Sequence, residues 1–309
     1  MRRNERPDGD DVTTLHPAGE LHGSRALRDV FQVAAGRLAD AGVPDPQVDA
    51  ELLLGHLRGL SRGEVQVGVI RGDELSADEA AAFDDLVARR AAREPLQHIT
   101  GVAYFRHLEL AVGPGVFVPR PETESVAQFA IDALRAAPVP EPIGVDLGTG
   151  SGAIALAMAT EVPHARIHAA ENSPYAFVWT KENARRIGAD NLRLVFADLA
   201  VAFPELDGTV DVVISNPPYV PDDAIPRDPE VRLHDPHAAL YGGPDGLDVV
   251  RELSHVGMRL LRPGGLLVIE HGELQGRAIR DLLTAAGWRA AATHPDLTLR
   301  DRTTTAIRP

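Results

Sequence analysis

The stretch SNPPY, residues 215–219, follows a run of β-branched residues and combines groups that suit the binding of a planar amide or amine. The Asn216 side-chain oxygen and the Pro217 carbonyl can accept hydrogen bonds from an NH2 group. Pro217 and Pro218 remove backbone donors and stiffen the turn, and Tyr219 offers a flat face for stacking. The stretch therefore predicts a site that holds an NH2 group for attack on an electrophile. The alternative is a proline turn that ends a strand and that Asn216 caps.

A glycine-rich stretch between a predicted strand and a predicted helix is typical of a turn that approaches a bound cofactor. Glycines allow a sharp turn there, and the free N–H groups at the start of the helix can meet polar groups of the cofactor. An ordinary turn between a strand and a helix is the alternative for these glycines taken alone. The stretch consists of Gly148, Thr149, Gly150, Ser151 and Gly152.

Acidic residues end the next two predicted strands and favour a cofactor that contains adenosine. The Glu171 carboxylate can accept hydrogen bonds from both hydroxyl groups of a ribose, and the Asp198 side chain can reach an adenine. A dinucleotide is one candidate, but the glycine spacing is Gly-x-Gly-x-Gly and not the Gly-x-Gly-x-x-Gly of dinucleotide sites. Together with a site for an NH2 group on the fourth strand, these residues favour S-adenosyl-L-methionine and predict methyl transfer to nitrogen.

Composition restricts the class of protein further. The chain has 309 residues, 44% of them hydrophobic, with no Cys and a net charge of −14. It can bury a large core, while the lack of Cys excludes disulfides and favours a reducing compartment. The charge disfavours a broad grip on nucleic acid, and the longest apolar runs are too short to span a bilayer. We therefore expect a cytoplasmic protein. We also expect no metal site, because His234 and His237 lack a third ligand at metal spacing.

The residue pattern divides the chain into four segments. Residues 1–23 are polar without periodicity and are expected to form a disordered tail. Residues 24–96 have helical periodicity, which predicts a small all-helical domain. Residues 97–121 are expected to form a β-hairpin linker, with a turn at residues 113–115 and a short strand at residues 116–118. In residues 122–309 strands alternate with helices, which predicts a Rossmann-like α/β domain with ligands at the carboxyl ends of parallel strands.

Five motifs together resemble those of the HemK/PrmC family of release factor glutamine methyltransferases. The resemblance covers nearly all of the chain after about residue 24, and the combination is specific. NPPY alone also occurs in adenine methyltransferases of DNA and in guanine methyltransferases of ribosomal RNA. VPRPETE after a helical domain resembles the release factor enzymes more than the related glutamine methyltransferases of ribosomal proteins. The motifs are EPLQHITGVAYF, VFVPRPETE, DLGTGSGAIALA, SNPPY and RPGGLLVIEHG.

The resemblance implies a class I S-adenosyl-L-methionine-dependent methyltransferase domain with a mostly parallel seven-stranded sheet. It also implies methyl transfer to the side-chain nitrogen of the Gln in the Gly-Gly-Gln loop of class-1 peptide chain release factors. The helical domain and the hairpin would help to dock the release factor, and no direct nucleic-acid or membrane partner is expected. The residues implied to contact the cofactor are Gly148, Thr149, Gly150, Ser151, Gly152, Glu171, Asp198, Leu199 and Asn216. The residues implied to hold the glutamine are Asn216, Pro217, Pro218 and Tyr219, of which Asn216, Pro217 and Tyr219 are the expected catalytic residues.

Three alternatives stay open. An adenine or guanine amino-group methyltransferase of DNA or ribosomal RNA would share the glycine turn and NPPY, but should add a basic face or a target-recognition insertion. A glutamine methyltransferase of a ribosomal protein would share the chemistry. An adapter without catalytic activity would tolerate the loss of Gly150 or Asn216, and both are present.

Overall fold

The computed structural model describes residues 25–309, which belong to two compact units. The first unit ends at Ala92, and the second begins at Arg93. The predicted disordered tail, residues 1–23, lies outside the described residues. Within residues 25–309 no helix is long and apolar enough to cross a membrane.

The first unit is helical, as the sequence pattern predicts. Capping boxes begin two of its helices, because the Ser61 and Ser76 side chains accept hydrogen bonds from the backbone N–H groups of Glu64 and Glu79, whose carboxylates accept in return from the serine N–H groups. The paired strands of this unit are β1 (Arg25–Ala26) and β2 (Glu74–Leu75), and its helices are α1 (Leu27–Asp40), α2 (Pro46–Arg58), α3 (Arg62–Arg71) and α4 (Ala77–Ala91).

The helices of the first unit share one apolar interior. Phe31 of α1 and Phe83 of α4 meet edge to face with ring centroids 6.0 Å apart, and Leu53 of α2 is fully buried. The Arg90 guanidinium donates to the Asp49 carboxylate at 2.7 Å, with both side chains largely buried. The ion pair satisfies two charges that would otherwise be costly in such surroundings.

The second unit begins with a short helix and the predicted β-hairpin, which is confirmed. Phe105 pairs with Leu108 in its register, so that Arg106 and His107 form the turn. These elements are α5 (Leu96–Thr100), β3 (Val102–Phe105) and β4 (Leu108–Ala111).

The turn predicted at residues 113–115 is confirmed, because the Val116 backbone N–H donates to the Gly113 carbonyl at 3.4 Å, but the short strand predicted at residues 116–118 is wrong. Residues 116–118 pair with no strand among the described residues. Val112, Val116 and Val118 are instead buried in a small apolar cluster of their own. The alternating valines are buried in an irregular segment, and this alternation has the same period as the buried residues of a strand.

The rest of the second unit alternates strands and helices, and its strands form a seven-stranded sheet in the order β10-β11-β9-β8-β5-β6-β7. The five strands from β9 to β7 are parallel, while β11 and β10 add antiparallel pairs at one edge. This confirms the predicted mostly parallel, Rossmann-like fold. The elements are α6 (Pro121–Ala136), β5 (Ile143–Leu147), α7 (Ala153–Glu161), β6 (Arg166–Glu171), α8 (Pro174–Ile187), β7 (Leu192–Phe196), β8 (Val210–Ser215), α9 (Pro229–His234), α10 (His237–Leu240), α11 (Asp248–Leu260), β9 (Leu261–Glu270), α12 (Gly276–Ala285), β10 (Arg289–Pro295) and β11 (Asp301–Ile307).

Apolar cores cover both faces of the sheet. On one face α6 and α7 bury Ile131 and Leu156 against the strands, and on the other face α11 and α12 bury Leu253 and Ile279. The central strands β5 and β8 are buried along their whole length. Burial on both faces explains their uninterrupted runs of apolar residues.

The strand order reverses between β5 and β8. From β5 the chain proceeds through β6 to β7 on one side, and then returns to place β8 on the other side of β5. Ligands of open α/β sheets bind at the carboxyl ends of the strands at such a reversal. The glycine-rich stretch follows β5 and SNPPY ends β8, so the fold brings the two predicted motifs to this point.

Candidate active site

A cavity of about 970 Å³ opens at the carboxyl ends of β5 and β8. It extends from the glycine turn after β5 to the NPPY turn after β8. Of the predicted site residues, all but Gly152 line it. The predicted residues that line the cavity are Gly148, Thr149, Gly150, Ser151, Glu171, Asp198, Leu199, Asn216, Pro217, Pro218 and Tyr219.

The glycine turn leaves room for a ligand at two positions. Gly148 and Gly150 have φ of 74° and 60°, and a Cβ at either would meet no atom within 4 Å. A Cβ at Gly152, with φ of 86°, would instead lie 2.9 Å from Thr180 Cγ2. Gly148 and Gly150 thus border the cavity, whereas Gly152 permits close packing of the start of α7 against α8.

Two buried carboxylates hold the glycine turn in place. Glu171 Oε2 accepts from the Gly150 backbone N–H at 2.8 Å, and its Oε1 accepts from the Ser173 N–H at 2.7 Å. Asp146 Oδ2 accepts from the Thr149 hydroxyl at 2.6 Å, and burial raises the pKa of Asp146 to about 7. Glu171 lines the cavity while Asp146 lies beneath the turn, so Glu171 is the acid placed to meet a ligand.

Asp198 and Leu199 lie where β7 leads into the next loop. The Asp198 carboxylate accepts from the Asn172 side chain at 3.1 Å and from the Ala200 backbone N–H at 2.9 Å. Asn172 therefore links the ends of β6 and β7. Leu199 is half-buried and packs against the apolar core on one face of the sheet while lining the cavity.

The NPPY turn forms the other end of the cavity. The Ser215 hydroxyl donates to the Leu147 carbonyl at 2.7 Å, which ties this turn to the end of β5. Asn216 is half-buried, and its Nδ2 donates to Thr123 Oγ1 at 3.4 Å. Burial raises the pKa of the Tyr219 phenol to about 12, so its proton stays in place at neutral pH.

The backbone of the NPPY turn is held by a segment that the sequence interpretation did not connect with it. Gln275 Nε2 donates to the Tyr219 carbonyl at 2.9 Å, while its Oε1 accepts from the Gly272 N–H at 2.9 Å. A Cβ at Gly246 would lie 2.3 Å from the Tyr219 carbonyl oxygen, and one at Gly242 would lie 2.4 Å from that of Pro218. These glycines allow the segment YGGPDG, residues 241–246, to approach the backbone of the NPPY turn closely. The sequence shows these glycines outside the cofactor turn, but their spacing does not indicate which segment they contact.

Arginine–carboxylate pairs hold α9 and the turn that follows it at the rim of the cavity. Arg93 pairs with Glu230 at the start of α9, with Nε donating at 2.9 Å. Arg120, whose guanidinium lies 4.9 Å from the Phe117 ring centroid, donates to Asp235 at 2.8 Å. Burial raises the pKa of Asp235 to about 6, against the lowering effect of Arg120. Sequence interpretation missed these pairs because their members are far apart in the chain.

His234, His237 and His271 do not line the cavity. His234 ends α9 and His237 begins α10. Residues 25–309 contain no group of three or more His, Cys, Asp or Glu side chains placed to hold a metal ion. His271 is fully buried, and its Nε2 shares a hydrogen bond of 2.9 Å with Thr304 Oγ1.

The cavity fits an adenosine-containing ligand at one end and an NH2 group at the other. Open space borders Gly148 and Gly150, and Glu171 keeps a partly unused carboxylate beside it. At the opposite end, Asn216 and Pro217 provide oxygen acceptors. The volume lies within the range of pockets that enclose small ligands. The geometry thus suits transfer of a group from a nucleoside cofactor to a nitrogen.

Comparisons with known families agree with this geometry. A family model described as the PrmC N-terminal domain matches residues 29–101. A second model, described as the methyltransferase small domain, matches residues 107–229 and so includes the glycine turn and the NPPY turn. A solved structure of the hMettl16 catalytic domain in complex with MAT2A 3'UTR hairpin 6 covers 72% of this chain and 82% of its own, with a TM-score of 0.53 and 15% identity. That likeness supports the fold alone.

Curated relatives extend over almost the whole chain. A release factor glutamine methyltransferase of Streptomyces coelicolor is 54% identical over 91% of this chain and 97% of its own length. One of Bifidobacterium longum is 44% identical over 89% and 97% of the two chains. The chain therefore belongs to the family of release factor glutamine methyltransferases, which are S-adenosyl-L-methionine-dependent protein-(glutamine-N5) methyltransferases.

Proposed function

We propose that this enzyme methylates the side-chain amide of the Gln in the Gly-Gly-Gln loop of class-1 peptide chain release factors. One observation carries the proposal: Asn216 and Pro217 line the same cavity as the glycine turn. A glutamine amide entering from the NPPY end would bring two N–H donors to these acceptors. The proline turn lacks backbone donors that would compete with them.

We assign the cofactor to the glycine-turn end of the cavity. Gly148 and Gly150 would allow S-adenosylmethionine to approach the backbone, and the Glu171 carboxylate would accept from its ribose hydroxyl groups. Asp198 and Leu199 would border the adenine. When bound, the cofactor supplies a methyl group on a positively charged sulfur.

Asn216 and Pro217 would act on the electron distribution of the substrate amide. An amide nitrogen is a poor nucleophile because its lone pair is delocalised. Acceptors at both of its N–H bonds raise the electron density on nitrogen and stabilise the positive charge that develops there during transfer. The nitrogen becomes acidic as it gains the methyl group, so it can lose a proton late without a strong general base. Tyr219 would stack against the amide plane.

An amino-group methyltransferase of nucleic acid is the main rival. Its substrate also offers an NH2 group on a planar system, so NPPY does not separate the two classes. The net charge of −14 opposes binding to a phosphate backbone. We therefore favour a protein substrate.

Labelled methyl transfer to competing substrates tests the proposed function. The purified enzyme is incubated with methyl-labelled S-adenosylmethionine and, separately, a class-1 release factor, a mixture of ribosomal proteins, ribosomal RNA and DNA. We expect label on the release factor alone. Label on RNA, DNA or a ribosomal protein, with none on the release factor, would contradict the proposal.

Replacing Glu171 by Gln is expected to weaken S-adenosylmethionine binding by roughly tenfold, the scale of one charge-assisted hydrogen bond. Gln keeps the shape but loses the charge, and its NH2 group would face one of the two backbone N–H groups that the carboxylate now satisfies. Calorimetric titration measures the change. Glu182→Gln, on the exposed face of α8, is the matched control and should bind normally. Equal affinities for both variants would remove the role assigned to Glu171.

We propose that the helical unit contributes to binding of the release factor. Val67 and Ile70 on α3 are 51% and 79% exposed, and they lie three residues apart on one helix face. Replacing both by Asp is expected to raise KM for the intact release factor about tenfold without changing kcat, since interface anchors contribute more than 1 kcal/mol each. The control is Val139→Asp, an exposed Val in the loop before β5. An unchanged KM would exclude this helix face from docking.

A further inference from the structure

A buried carboxyl group lies behind Asn216 and is not used by the chemistry described above. Glu270 ends β9 and is 2% exposed, and one of its oxygens, Oε2, is buried without a hydrogen-bond partner. Glu270, Thr123 and Asn216 line the same cavity, and hydrogen bonding from the Thr123 and Asn216 side chains lowers the pKa of Glu270. Thr123, near the start of α6, is also buried. Glu270, Thr123 and Asn216 thus form a polar cluster in the wall of the cavity.

The donor and acceptor chemistry of this cluster determines which way the Asn216 amide points. An ionised carboxylate can only accept, so Thr123 must donate its single proton to Glu270. The Thr123 oxygen is then left as an acceptor, and Asn216 Nδ2 donates to it at 3.4 Å. Because the Asn216 NH2 group is committed to this cluster, its oxygen is the atom left for the cavity.

We propose that Glu270 and Thr123 are positioning residues that hold the Asn216 amide with its oxygen toward the substrate. This inference rests on the proposed function, in which that oxygen accepts from the substrate NH2 group. An Asn216 side chain rotated by 180° would present its own NH2 group to the substrate's, and two donors would face each other. The ionised Glu270 also draws the Asn216 N–H dipole toward itself, which strengthens the oxygen as an acceptor.

The charge state of Glu270 decides whether this orientation is favoured. Burial and the Glu122 carboxylate raise the pKa of Glu270 to about 7, against the lowering effects of Thr123, Arg302 and Asn216. A protonated Glu270 can donate and so can satisfy the amide in its reversed orientation. The groups that face Glu270 are Glu122 and Thr123 on α6, Asn216 and Tyr219 in the NPPY turn, and Arg302 on β11.

The test is a double-mutant cycle on the full-length enzyme, measured as the single-turnover rate of methyl transfer to a release factor. At pH 8, Glu270→Gln is expected to slow transfer about tenfold, because Gln can adopt either amide orientation itself. Thr123→Val is expected to slow transfer several-fold, whereas Thr123→Ser keeps the hydroxyl group and should have nearly the wild-type rate. In an Asn216→Ala background, Glu270→Gln should change the rate by less than about twofold, since the residue through which it acts is gone.

A pH profile and cofactor titrations complete the experiment. Wild-type rates should rise with pH through about 7 as Glu270 loses its proton, and Glu270→Gln should lack this rise. S-adenosylmethionine affinity should stay unchanged in the Glu270 and Thr123 variants. Glu273→Gln, an exposed carboxylate three residues further along the chain, should behave as wild type.

The positioning role would be overturned if Glu270→Gln slowed transfer by the same factor in the Asn216→Ala background as in the wild-type enzyme. Equal rates for Thr123→Val and Thr123→Ser would also overturn it, and this pair decides the question if Glu270→Gln does not fold. A wild-type enzyme that leaves the release factor unmodified would instead contradict the proposed function, so the two failures are distinguishable.

Discussion

Replacing Asn216 by Ala is expected to slow methyl transfer to the release factor by about 10²–10³-fold, the loss seen when one preorganised transition-state hydrogen bond is removed. The Asn216 oxygen would stabilise charge that develops on the substrate nitrogen only during transfer, so the rate should fall more than the affinity for either substrate. Single-turnover methylation with saturating cofactor and release factor measures the effect. Calorimetric titration should show nearly unchanged cofactor binding.

Asn191→Ala is the matched control, because its amide has a structural role. Asn191 Nδ2 donates to the backbone carbonyls of Ala159 and Ala165 at 3.0 Å each and lies outside the cavity. This variant should lose about 1–3 kcal/mol of stability and keep the wild-type rate. If Asn216→Ala behaved in the same way, Asn216 would be a structural cap and the assignment of the acceptor site would be wrong.

Replacing Gly150 by Val is expected to weaken S-adenosylmethionine binding by about 100-fold, or about 2.7 kcal/mol. The side chain would project into the open space that borders the glycine turn. Gly150 also has φ of 60°, which a β-branched residue adopts only with strain, so the N–H group that Glu171 accepts from would be displaced. Calorimetric titration of the variant measures the loss.

Gly188→Val separates backbone strain from loss of the binding site. Gly188 caps the carboxyl end of α8 with φ of 70°, and a Cβ there would also meet no atom within 4 Å. Both variants should lose about 1–2 kcal/mol of stability from the left-handed backbone. Only Gly150→Val should lose cofactor affinity. Normal binding by Gly150→Val would show that the cofactor does not approach this turn.

The sequence predicted the sheet and its helices because local patterns determine them. The β5 strand reads as an apolar run with glycines after it, and α4 begins at a capping box that is visible in the residues Ser76 and Glu79. The short helices α9 and α10 were missed, since α9 has six residues and α10 has four. Helices that short depend on contacts with the rest of the chain more than on their own residues.

The glycine turn and the NPPY turn at the two ends of the cavity were also predictable, because the ends of β5, β6, β7 and β8 carry residues of recognisable chemistry. The cluster behind Asn216 was not. Thr123 and Glu270 both lie within motifs that the sequence comparison singled out, VFVPRPETE and RPGGLLVIEHG, but nothing in their spacing places them beside Asn216. Thr123 is 93 positions from Asn216. Only the folding of α6 and β9 against β8 brings the three side chains together.

Locating the transferred methyl group tests the central claim most directly. A class-1 release factor is incubated with the enzyme and S-adenosylmethionine, digested, and sequenced by tandem mass spectrometry, beside a release factor whose loop Gln is replaced by Ala. We predict one methyl group on the side-chain nitrogen of the Gln in the Gly-Gly-Gln loop, and none on the substituted protein. A methyl group at another residue, or equal methylation of both release factors, would contradict the account.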